Sequence, residues 1–152
     1  MKHWGVPYKL APLQYAAAPH LVTPLPRWRQ WLPPLALLLY GLILMLGNMR
    51  GMDEQLLPDA SDKLIHALAY GGLAALLFVG LRAPAWLRAL GIVALIAVLG
   101  AIDEFIQSFM PHREADILDW IADVLGATAV CAVLALIRVC LPPRLRRWWR
   151  GV

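Results

Sequence analysis

Four long apolar runs constrain this chain more than any other feature. They lie roughly at Leu32 to Met49, Leu64 to Leu81, Trp86 to Phe109 and Ile117 to Leu141. Each reaches about the 18 residues needed to cross about 30 Å of hydrocarbon at about 1.5 Å per residue. With 61% hydrophobic residues in a chain of 152, against roughly 45–50% in soluble domains, the composition argues against a water-soluble fold. Backbone polar groups in lipid are satisfied only within helices or closed barrels, and runs of this length suit helices. The expected fold is therefore all-α: an integral membrane four-helix bundle over residues 31–141, with a proline-rich extension at 1–30 and a basic Arg/Trp tail at 142–152.

Charge predicts how the bundle sits. Lys2, Lys9, Arg27 and Arg29 precede the first run, Arg82 and Arg88 separate the second from the third, and Arg144, Arg146, Arg147 and Arg150 follow the fourth. Only Arg50, Lys63 and Arg113 fall on the other side, together with every acidic residue from Asp53 to Asp123. Lys and Arg are retained on the cytoplasmic side, so both termini are expected there. The basic sites are interleaved with Trp28, Trp31, Trp86, Trp148 and Trp149. That mixture is an interfacial anchor to membrane lipids, at about 1 kcal/mol per Arg near an anionic leaflet, and no nucleic-acid partner is expected.

Pro7, Pro12, Pro19, Pro24 and Pro26 forbid a continuous helix at the N-terminus, and with Lys9 they interrupt any signal-peptide core before YAAAP. No lipidation motif opens the chain. GNMRG matches the G-x-x-x-G pattern but falls at a membrane edge, where it reads as a loop. Cys131 and Cys140 are nine residues apart on one expected helix, too distant for a bridge, and read as packing residues.

The stretch Ile102 to Gly126 is the anomaly: it holds six of the ten carboxylates between runs apolar enough for a membrane. Ionisable side chains at that depth are costly, so they face the bundle interior and pair there. At 100° per residue Asp62, Lys63, His66 and Tyr70 share about a third of one helix, with Tyr70 about 12 Å below Asp62. On the third helix Asp103 and Gln107 lie one turn apart and can hydrogen-bond, with Glu104 about 100° round. The third helix should stop near Met110, before Pro111. Asp116 is the expected N-cap of the fourth, and Asp119, Asp123, Gly126 and Val130 follow along one face. A dipole effect fades within the first turn, so Asp123 requires a partner across the bundle. Gly71 and Gly72 allow close helix approach. The polar sets all fall at one depth, which predicts a single pocket of Lys63, His66, Tyr70, Asp103, Glu104, Gln107, Arg113, Asp119 and Asp123, open to the outer face.

The three motifs D-K-x-x-H-x-x-x-Y at Asp62 to Tyr70, D-E-x-x-Q-x-F-x-P-x-R at Asp103 to Arg113 and D-x-x-x-D-x-x-G at Asp119 to Gly126 resemble the VanZ-like membrane proteins. The resemblance covers about residues 40 to 137. His112 stands where that family often has glycine, and Asp123 where asparagine is also common, which weakens Asp123 as an obligatory acid. The resemblance implies a small multi-pass protein of the bacterial inner membrane. It also implies a general association with resistance to the glycopeptide teicoplanin.

Three readings of the pocket follow. It binds an envelope lipid headgroup, a peptidoglycan precursor or a glycopeptide-like ligand; it is an enzyme acting on a lipid phosphate or headgroup; or it is an ion-pair network that fixes helix register. In the enzyme reading His66 is the catalytic base or nucleophile, Lys63 and Arg113 hold an anion, and Asp103, Glu104 and Asp119 orient His66 or bind a divalent metal. No metal signature such as H-E-x-x-H and no nucleophile motif is present. The surplus of acid over Lys63 and Arg113 invites a proton or a metal. Alternating-access transport fits poorly, since four helices carry no visible internal repeat.

Overall fold

A computed structural model describes residues 27–49, 62–111, 113 and 115–142. The expectations for the proline-rich segment before Arg27, for Arg50 and Gly51 of the GNMRG loop, for His112 and for the basic Arg/Trp tail from residue 143 lie outside the described residues. Among those described, a 3-10 turn, Arg27–Trp31, leads into four helices: α1 Leu32–Gly47, α2 Asp62–Gly80, α3 Ala85–Gln107 and α4 Ile117–Cys140. No strand occurs among them.

Helix lengths follow from local sequence. Pro33 and Pro34 occupy the first turn of α1, where a missing N–H costs nothing. Its 16 residues give about 24 Å, and the preceding 3-10 turn adds roughly 10 Å, enough to cross the hydrocarbon. Helix α2 has 19 residues, α3 23 and α4 24. All four are long and apolar enough to cross a membrane. Helix α3 ends at Gln107, three residues before Met110, because the chain already tightens into turns ahead of Pro111. Helix α4 begins as expected, with the Asp116 side chain accepting from the Leu118 N–H at 2.8 Å.

Cross-helix bonds establish an up-down-up-down bundle. Arg113 reaches Gly47 at the end of α1 and Asp62 at the start of α2, and Lys63 reaches the start of α4. At the opposite end Arg29 donates to Val79 and Arg88 to Leu81, near the end of α2. The most extensive helix pair is α2 with α4. A methyl group on Gly126 would stand 2.8 Å from the Cα and 2.9 Å from the carbonyl carbon of Ala67. Gly71 faces Gly126 across this seam, whereas a methyl on Gly72 would meet nothing within 4 Å, so Gly72 contributes no close approach.

The bundle inverts the pattern of a soluble protein. Leu37, Leu38, Phe105, Phe109, Leu125 and Val139 point outward, Phe109 at 69% exposure, an apolar surface that water would not tolerate but lipid does. The interior combines Tyr70, Leu73, Phe78, Ile92, Ile96 and Cys131 with the polar side chains of Arg29, His66, Arg88, Asp103, Gln107, Asp119 and Asp123. Both cysteines are free thiols. Together these features show a multi-pass helical membrane protein.

Candidate functional site

The polar residues gather where the end of α3 and the starts of α2 and α4 meet. Spacing of four on α2 aligns Asp62, His66 and Tyr70, and spacing of four on α4 aligns Asp119 and Asp123. His66 Nδ1 lies 2.9 Å from Asp123 Oδ1, so the partner Asp123 requires is His66. With the carboxylate accepting, Nδ1 carries the hydrogen, and Nε2 is left with its lone pair in the neutral ring. Nε2 makes no hydrogen bond among the described residues.

Below this pair, Tyr70 donates to Asp103 Oδ2 at 2.9 Å and Gln107 donates to Asp103 Oδ1 at 3.2 Å. Tyr70, Asp103 and Gln107 are at most 2% exposed, and their mutual hydrogen bonds offset the cost of burial. Nearer the rim, Lys63 bridges Asp116 at 2.8 Å and Asp119 at 3.0 Å. Arg113 donates to Gly47 O at 2.9 Å and lies 3.5 Å from Asp62. Glu104 Oε2 accepts from the Asp116 N–H at 2.7 Å, tying α3 to the start of α4.

Two carboxylate oxygens remain unmet. Glu104 Oε1 and Asp123 Oδ2 are buried without a hydrogen-bond partner among the described residues. Gly100 is small for this reason: a methyl there would come within 2.6 Å of Asp123 Oδ2 and 3.2 Å of the Trp120 ring. Trp120 is itself fixed by donating to Ala97 O at 2.8 Å.

A cavity of about 110 Å³ opens between α1, α2 and α3, with polar walls from Asp62, His66, Tyr70, Asp103 and Arg113 and apolar walls that include Ile43 and Ile65. At roughly 10–15 Å³ per water it holds several waters or one small polar group. Four of the nine expected site residues therefore line it. Lys63, Glu104, Gln107, Asp119 and Asp123 stand behind or beside it. The expected metal ligands, Asp103, Glu104 and Asp119, are not brought together as a ligand set. Tyr70 and Gln107 hold Asp103, and the Asp116 N–H holds Glu104. The set that does converge is Asp62, His66 and Asp119, each offering one ligand atom within 4.8 Å of the others. Asp62 was obscured in the sequence by its second role as an acidic group at a helix start, although it opens the D-K-x-x-H motif. Asp116 was obscured likewise by capping.

The Lys63 ammonium, hydrogen-bonded to Asp116, holds that carboxyl below the ordinary aspartate range, and the Leu118 N–H acts in the same direction. A depressed value in the folded state means the interaction contributes fully above the unfolded aspartate pKa of about 4. It is lost as pH falls through the lower folded value. In detergent, the thermal midpoint of the wild type should drop on acidification below about pH 4, and that of Asp116→Asn should drop less. Equal losses would assign the acid sensitivity to other groups.

Geometry and topology together define a class: a small polytopic membrane protein whose helices enclose an acidic, hydrogen-bonded site at one end of the bundle. Within that class the chain belongs to the VanZ/LLP1 family, whose model matches residues 20–138. Comparison with curated proteins and comparison with solved structures each give no match.

Proposed function

We propose that this chain is an envelope protein of the bacterial inner membrane, with both termini cytoplasmic, whose acidic-end pocket binds the polar headgroup of an envelope lipid or lipid-linked peptidoglycan precursor. The observation that carries this reading is the cavity itself. It has a polar wall, room for one small group, and more carboxylate around it than Lys63 and Arg113 neutralise. A whole glycopeptide is far too large for about 110 Å³, so a link to glycopeptide resistance runs through the precursor or lipid that reaches the outer face. Asp62, His66 and Asp119 suit a divalent cation. Each commits one atom to Arg113, Asp123 or Lys63 and keeps another outside those pairs. Such an ion would offset the acid surplus and accept a phosphate oxygen of the headgroup.

One observation favours an enzymatic alternative, in which Nε2 of His66 carries no cation. The buried Asp123–His66 pair orients the ring and leaves Nε2 as an available base. A water in the cavity would give its proton to Nε2 and attack the phosphorus of a headgroup phosphate ester, and the ester oxygen would leave as the alcohol, taking up that proton.

Native mass spectrometry of protein purified gently from its own membrane tests both. The wild type should retain a lipid or precursor, and His66→Ala and Asp119→Asn should fold and lose it. Conversion of the retained molecule by wild type alone would select the enzyme. An empty wild type together with misfolded variants would leave the polar residues as a register-setting lattice.

A further inference from the structure

At the opposite end of the bundle lies a second polar cluster, composed among the described residues of arginines without acids. Arg29 is 2% exposed and donates through Nε to Val79 O at 2.8 Å, with Nη2 directed to the same oxygen. Arg88 is 5% exposed. Its Nη1 donates to Leu81 O at 2.8 Å, and its guanidinium stands 4.2 Å over the Phe78 ring. Nε and Nη2 of Arg88 are nonetheless buried with no hydrogen-bond partner among the described residues, and so is Nη1 of Arg138 on α4. Arg29 and Arg88 are held on carbonyls only two residues apart, Val79 and Leu81, and Arg138 in the last turn of α4 is close enough to act as a like charge on both.

Intramolecular compensation is incomplete here. Val79 and Leu81 supply the negative end of the α2 dipole, equivalent to about half a charge, and Phe78 adds a cation–π contact. Three guanidiniums exceed both. Among the described residues the acidic side chains are Asp62, Asp103, Glu104, Asp116, Asp119 and Asp123, and they belong to the opposite half of the bundle. None of these carboxylates pairs with the arginines, and buried, unpaired guanidinium donors are expensive. The open donors of Arg88 and Arg138 suit an anion from another molecule.

The level in the membrane identifies that molecule's chemistry. Trp28, Trp31 and Trp86 surround this end and are exposed, Trp86 at 68%, the position of side chains in the headgroup layer. Arg138 is only half-buried, so the cluster is approached from the lipid side of α4. A guanidinium fork matches two oxygens of a phosphate in one plane. We infer that Arg88 and Arg138, backed by Arg29, form a stoichiometric site for a phosphate-bearing anion, the phosphate of an anionic phospholipid headgroup or free phosphate. This differs from diffuse attraction of surface arginines to an anionic leaflet, because it is saturable and depends on particular buried donors.

The test is thermal stability of the full chain in neutral detergent, titrated separately with phosphatidylglycerol, with phosphatidylcholine and with inorganic phosphate, and paired with native mass spectrometry for stoichiometry. Phosphatidylglycerol should raise the midpoint saturably at one lipid per chain, with phosphatidylcholine at least tenfold less effective. Arg88→Gln or Arg138→Gln should weaken the effect at least tenfold. Arg27→Gln removes the same charge from an exposed position at this end and should leave it unchanged. Inorganic phosphate as effective as phosphatidylglycerol would assign the site to the free anion. Equal response to both lipids, or an equal loss in Arg27→Gln, would overturn the proposal. If Arg88→Gln does not fold, Arg138→Gln and the wild-type lipid comparison still decide.

Discussion

Gly126→Leu should yield no folded bundle, and even Gly126→Ala should lower the thermal midpoint sharply. The atoms that a new methyl would meet belong to the Ala67 backbone, with Cα at 2.8 Å, and a backbone cannot rotate away as a side chain can. The seam must open instead. Overpacking in a tight interior costs about 1–3 kcal/mol and sometimes more. Here the cost spreads, because separating α2 from α4 also stretches Lys63–Asp119 and His66–Asp123, at 3.0 and 2.9 Å. Gly72→Ala is the control: its position is open, so it should be neutral or slightly stabilising through the better helix propensity of alanine. Circular dichroism melts in detergent would measure both, and a Gly126→Ala midpoint equal to that of Gly72→Ala would contradict the close seam.

The second large effect is expected at Asp123. Its side chain is completely buried, and Oδ1 is the partner of His66 Nδ1 at 2.9 Å. Asp123→Ala leaves a buried ring nitrogen unmatched and opens space next to Gly100, which should cost about 3 kcal/mol. Asp123→Asn keeps an acceptor for Nδ1–H and should recover most of that stability. Binding should separate the two roles. If Asp62, His66 and Asp119 hold a divalent ion, loss of the carboxylate behind His66 should reduce Mn²⁺ affinity by about 10- to 100-fold even in the stable asparagine variant, since such partners fix the tautomer and basicity of a ligating histidine. Isothermal titration with Mn²⁺ reads this directly. Unchanged affinity in Asp123→Asn would leave Asp123 with a purely structural part.

These expectations draw on features of unequal legibility. The pairing of Asp103 with Gln107 was readable because both residues lie on one helix, where spacing alone fixes proximity. Asp116 as an N-cap was readable for the same reason. That Asp123 needed a partner followed from its distance from the helix start, but the partner's identity did not. His66 is 57 residues away, and only the rotation of α2 against α4 puts the two in contact. Arg29 and Arg88 were misleading in sequence. Their positions beside tryptophans predicted solvated anchors, yet both fold inward onto the end of α2, where free carbonyls accept from them.

The sequence by itself determined the helices, their approximate ends, the concentration of the described carboxylates at one end of the bundle, and the set of polar residues that share one depth. All of these rest on local rules: apolar run length, 3.6-residue periodicity, proline placement and the cost of charge in lipid. Tertiary structure decided which polar atom meets which. It paired Asp123 with His66, Tyr70 with Asp103 and Lys63 with Asp116 and Asp119, and it replaced Asp103 and Glu104 by Asp62 and His66 beside Asp119 as the converging ligand set. The reason is that a helix fixes the direction of each side chain only relative to its own axis. The relative rotation and separation of two helices are set by packing across their seam, here by the absence of a side chain at Gly126 against the backbone of Ala67.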